Sequence, residues 1–134
     1  MKDAAELCRG LLRKARSDRI AMEASLAAQA LDAACFHAQQ MSEKCLKDFL
    51  AHRSVAFPYT HNLTKLIEIG AGIEATLRSL LPTVAPLTPY AVELRYDDSF
   101  WPSQQAVEEA RSSALAVLQF VLERLPADIR KSAE

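Results

Sequence analysis

In its first 55 residues the chain carries one glycine, Gly10, and no proline. Nothing else in the sequence constrains the fold as strongly. Alanine and leucine dominate this stretch. Valine, isoleucine and threonine are scattered through the chain without the strict alternation of a half-buried strand. Backbone breakers are absent where apolar residues recur every three or four positions, and that combination predicts helices. The first helix is expected from about Ala4 to Leu26, with Leu7, Leu11, Leu12 and Ala15 at helical spacing. Gly10 weakens it by roughly 1 kcal/mol relative to Ala if exposed, too little to outweigh the pattern. The second is expected from about Leu31 to Arg53, and the break at 27–30 carries no Gly or Pro signal. Pro58 rules out a continuation, because it has no amide hydrogen for the i→i−4 bond.

Punctuation becomes frequent further on. Asn62 reads as an N-cap for a third helix carrying Leu63, Leu66 and Ile67, closed by Gly70 and Gly72. A short helical piece, Ile73 to Leu81, is expected to stop at Pro82. Then follows a long connection, TVAPLTPYAVELRYDDSFWP, with at most one turn of helix around Tyr90 to Leu94. Loops of that length inside small domains usually have a task. The last helix is read from about Ser103 to Leu125, with a wide apolar face from Ala106 to Leu125. Pro126 ends it, and residues 127–134 are expected to fray. One domain, residues 1–126, is therefore expected: an all-α, up-and-down four-helix bundle with a short extra helix.

Composition bounds the function. The 134 residues hold 16 Lys and Arg against 17 Asp and Glu, a formal net charge of −1. No global field draws the chain to nucleic acid or to an anionic membrane. No apolar run is long enough for a membrane span. The N-terminus is charged throughout and lacks an apolar signal core, which predicts a cytoplasmic protein. Cys8, Cys35 and Cys45 are odd in number and lack C-x-x-C spacing, so reduced, buried thiols are expected. His37, His52 and His61 show no metal-ligand spacing, and no glycine-rich phosphate loop occurs. No cofactor or metal is expected.

The segment FHAQQMSEKCLKDFLAHR, Phe36 to Arg53, holds the polar residues of most interest. Projected at 100° per residue, Leu31, Ala34, Cys35, Ala38, Met41, Cys45, Leu46 and Phe49 share one arc, the expected core face. His37, Gln40, Lys44 and Lys47 collect in a single stripe elsewhere. Phe36 and Leu50 lie outside the core arc, large apolar groups that a purely solvated face does not need. A second contact surface is therefore expected on this helix, supplied by the same chain or by a second subunit. The plain reading of the stripe is a solvated face with charge pairs. The functional reading is a basic, amide-bearing ledge for an anion or for a partner's carboxylates.

This segment resembles the signature helix of HEPN domains, roughly F-H-x-Q-Q-x-x-E-K-x-L-K. Phe36, His37, Gln39, Gln40, Glu43, Lys44, Leu46 and Lys47 stand at the matching positions. THNL, from Thr60 to Leu63, is similar to the family's T-H-[DN]-L. Leu94 to Tyr96 is similar to its R-Y element, and Glu108 to Ala110 matches residues often found in its last helix. The resemblance implies an all-α bundle, frequent homodimers, and a minimal nucleotidyltransferase as working partner in a toxin–antitoxin-like pair. Some members are metal-independent RNases with an R-x(4–6)-H motif, in which Arg stabilises phosphate charge and His acts as acid or base. That motif is absent here. Seven residues separate Arg53 from His61, and no His follows Arg95.

Three functions follow as expectations. The first is a non-catalytic module binding a nucleotide, RNA or partner through His37, Gln40, Lys44, Lys47, His61, Arg95 and Tyr96. The second is an RNase using His61 with Arg53 or Arg95. The third is a purely structural dimerisation module.

Overall fold

A computed structural model describes residues 3–92 and 96–133 of the chain. It is all-helical, with no strand among the described residues. Helix α1 spans Ala4–Ala27 and α2 spans Leu31–His52. Asp3 caps α1, its carboxylate accepting from the Glu6 amide at 2.8 Å. The turn between the two helices passes through Gln29 at φ 61°, a left-handed conformation without a glycine. The sequence carries no sign of this turn, because a residue other than glycine adopts the conformation. Ser54, just beyond α2, is the second such residue, at φ 56°.

Helix α3, Leu63–Ala71, begins at Asn62, whose side chain accepts from the Lys65 amide at 3.1 Å. Thr60 in turn accepts from the Asn62 amide. A 3₁₀ segment, Ala75–Leu80, leads into α4, Leu81–Val84. Pro82, expected to stop a helix, lies in the first turn of α4 instead. Its missing amide hydrogen is one the first turn does not use. A second 3₁₀ segment covers Ala85–Ala91, so much of the long connection is helical. The expected turn around Tyr90 to Leu94 falls partly on residues 93–95, outside those described. Helix α5, Gln104–Leu122, is capped by Ser103. Residues 127–133, read from the sequence as a frayed end, are helical. Helix α6, Ala127–Arg130, and a 3₁₀ turn follow, Ile129 is buried, and Arg9 pairs with Asp128 at 3.0 Å.

Helix α2 is the centre of the bundle. Its most extensive contact is with α1, and it also packs on α5, α3 and the 85–91 segment. A helix surrounded in this way cannot keep a single buried arc. Leu50, outside the expected core arc, is 1% exposed. It packs toward α3, where Gly70 permits a close approach. A Cβ on Gly70 would lie 2.5 Å from Leu77 Cδ1 and 3.1 Å from Leu50 Cδ2. The second contact surface of α2 is thus supplied, at Leu50, by the same chain. Cys8, Cys35 and Cys45 are all buried and free. Burial pushes each thiol up, that of Cys35 to about 11, so none has thiolate character.

Candidate functional site

The expected ledge divides into two clusters, each gathered around a buried carboxylate. On one flank stands Asp18, which α1 turns toward α2 and leaves only 7% exposed. Lys44 forms an ion pair with its Oδ2, and His37 Nδ1 lies 2.9 Å from its Oδ1. The Phe36 ring meets the His37 ring edge-on at 5.2 Å between centroids.

On the other flank stands Glu43, within α2 itself and 4% exposed. Lys47, one turn on, reaches its Oε2 at 3.0 Å. His61, brought in by the segment that leads to α3, places Nδ1 2.8 Å from Oε1. Gln39 reinforces the junction. Its amide nitrogen donates to the His61 carbonyl at 3.0 Å and reaches Glu43 Oε1 at 3.4 Å. Gln40 donates to the Gln39 oxygen at 2.7 Å. Aromatic rings close the cluster. Lys47 Nζ lies 5.9 Å from the centre of the Phe57 ring and 5.7 Å from that of Tyr59. Tyr59 also meets the His61 ring edge-on at 5.7 Å.

Two chemical consequences follow. First, an ionised carboxylate only accepts hydrogen bonds, so each bonded imidazole nitrogen must be the donor. The carboxylates thereby hold Nδ1–H on His37 and His61 and leave Nε2 as the free acceptor of the neutral ring. Second, both lysines are already neutralised. The ledge presents oriented polar groups rather than a strong positive field. Among the described residues no group of three or more His, Cys, Asp or Glu could hold a metal ion. No helix among them is long and apolar enough to cross a membrane.

The sequence-derived residues do not all meet. Gln40, Lys47 and His61 belong to the Glu43 cluster; His37 and Lys44 belong to the Asp18 cluster. Arg53 turns elsewhere, pairing with Glu74 at 3.0 Å and lying 5.3 Å over the Phe49 ring. Arg95 lies outside the described residues, and its neighbour Tyr96 is exposed. Asp18 and Tyr59 were missed from sequence. Asp18 is 26 residues from Lys44 and looks like one more surface charge of α1. Glu43 and Gln39 stand in the family phrase, but the helical projection alone does not single them out.

Comparison with known proteins places this geometry in a family. The HEPN domain model matches residues 8–125. The chain belongs to the HEPN domain family. The HEPN fold is shared with a Thermus thermophilus protein, TT1696, at 26% identity and a TM-score of 0.71, covering 88% of this chain and 98% of that one. It is also shared with ST0689, described as an archaeal HEPN homologue, at 18% identity and a TM-score of 0.69 over 92% of this chain and 98% of that one. No curated protein matches the chain. As a HEPN domain it carries the signature phrase on α2 and the T-H-N-L element at the start of α3. The Glu43–His61 contact is where those two elements meet in space.

Proposed function

We propose that this HEPN protein is a non-catalytic binding module that takes a nucleotide or a single-stranded RNA segment at the Glu43 cluster. The observation that carries the reading is the pairing of a fixed hydrogen-bonding group with a bare aromatic face. His61 is held at Nδ1 by a buried carboxylate with its side chain 43% exposed, and Tyr59 beside it is exposed almost completely. An exposed tyrosine offers a base a stacking surface, and each stacked base is worth about 1–3 kcal/mol. His61 Nε2 accepts from a base amine or ribose hydroxyl. The protein acts as a homodimer and works with a minimal nucleotidyltransferase as its partner, in a toxin–antitoxin-like pair.

Calorimetric titration with mononucleotides and short RNAs tests the ligand. Tyr59→Ala and His61→Ala should each weaken binding about tenfold, on the scale of one stacked base or one hydrogen bond. Lys44→Ala, on the opposite flank, should leave affinity unchanged. An absence of binding to every nucleotide and RNA removes the ligand from the reading. Metal-free cleavage of single-stranded RNA that is lost in His61→Ala replaces it with a nuclease. Light scattering at the mass of one chain removes the homodimer.

A further inference from the structure

The folded end of the chain builds a second polar concavity, far in sequence from the Glu43 cluster and sharing no residue with it. Helix α6 and the turn after it pack on α1, anchored by buried Ile129 and the Arg9–Asp128 pair. Between them and α5 lies a cavity of about 550 Å³. Sites for small organic ligands run from about 300 to 1,000 Å³, so this one has room for such a molecule.

Its lining has two parts. Leu118 and Leu122 of α5, with Ala127 and Ala133, give it an apolar floor. Arg19 from α1, with Arg130 and Lys131 from the folded end, give it a cationic rim. Glu123 is the one carboxylate in the described lining, leaving three cations against one anion, a net of +2. Glu123 is already engaged. It accepts from Gln119 Nε2 at 2.9 Å and lies 3.6 Å from Arg124. Asp18, beside Arg19 in the sequence, is already taken by Lys44 and His37, and Glu23, one turn on, is held by Arg111 Nε and Nη2 at 2.5 and 3.0 Å. Arg130 and Lys131 have no ion-pair partner among the described residues. Three like charges gathered around a cavity repel one another, and an anion of matching charge relieves that repulsion.

We propose that this cavity binds a small phosphomonoester with an apolar or aromatic body. Arg19, Arg130 and Lys131 hold the phosphate, and the body lies on Leu118 and Leu122. The charges agree, since a phosphomonoester carries about −1.5 to −2 at neutral pH. The chemistry of the donors agrees as well, because guanidinium groups grip phosphate oxygens in pairs.

The test is an NMR titration of the full chain with phenyl phosphate, following the leucine methyl signals. Inorganic phosphate and phenol serve as the separated halves of the ligand. Saturable shifts at the Leu118 and Leu122 methyls are expected with phenyl phosphate, at least tenfold tighter than with either half. The double variant Arg19→Gln/Lys131→Gln changes only exposed side chains and should keep the fold while losing at least tenfold in affinity. His61→Ala should bind phenyl phosphate like the parent, so this site and the Glu43 site can fail separately. Unmoved methyl signals overturn the proposal. So does equal affinity for inorganic phosphate, or a double variant that binds as the parent does.

Discussion

Glu43 and Asp48 are two carboxylates on one helix, both withdrawn from solvent, at 4% and 0% exposure. Their surroundings differ completely. Glu43 meets Lys47, His61 and Gln39 within hydrogen-bonding reach. Neither carboxylate oxygen of Asp48 has a partner among the described residues. The nearby Cys8 thiol is bonded to the Asp48 main-chain carbonyl, at 3.7 Å. Burial pushes the Asp48 carboxyl up to about 7. Five residues turn a helix by about 140°, so one acid faces the segment entering α3 and the other faces α1. Burial alone therefore does not make a carboxylate useful. A buried acid with donors around it organises a site, whereas one without them only weighs on the fold.

Breaking the organised acid should have the largest effect. Glu43→Ala strands Lys47, only 12% exposed, and releases His61. Removing one partner of a buried pair typically costs about 3–5 kcal/mol, and urea unfolding should show a loss of that order. An unchanged midpoint would mean that Glu43 bears no more weight than a surface charge.

The unpartnered acid should respond in the opposite sense, and with pH. Its folded value of about 7 lies above the ordinary carboxylate range, so the fold favours the protonated form. The penalty is absent below about pH 4, grows as pH rises, and levels off above the folded value. Its full size is at most about 4 kcal/mol, taking about 1.4 kcal/mol for each pH unit between the unfolded and folded values. Unfolding measured from pH 4 to pH 8 should therefore show this contribution falling. Asp48→Asn should flatten the slope and raise stability at pH 8 by about 2 kcal/mol, with no gain at pH 4. Equal slopes in parent and variant would reject the assignment.

A third acid, Asp18, sharpens the contrast with a smaller effect. Lys44→Ala takes away one of its two partners and leaves His37 in place. The ion pair is part-exposed, so a loss of about 1 kcal/mol is expected in thermal or urea unfolding. A loss as large as that of Glu43→Ala would make the two flanks of α2 equivalent.

The helices were legible because their signals are local. Apolar residues every three or four positions place α1, α2, α3 and α5, and Asn62 starts α3 where a cap residue predicts it. The turn at Gln29 was not legible, since its left-handed residue is not glycine. Nor was the place of Pro82, because proline suits the first turn of a helix as well as the position after its end. The site was legible in part. His37, Gln40, Lys44, Lys47 and His61 all lie on or beside α2 as polar groups of one region. Their division between two buried acids was not.

The four main helices and their order thus follow from the chain itself, since 3.6-residue periodicity, caps and breakers act within a few positions. Which polar residue is buried, and against what, belongs to the assembled bundle. Asp18 meets Lys44 from 26 residues away, His61 meets Glu43 from 18, and the Asp48 carboxylate oxygens have no hydrogen-bond partner among the described residues. Those outcomes depend on how α1 and the α3 entry lie against α2. A helical projection treats α2 as having one buried side, while packing surrounds it with neighbours that each impose their own charges.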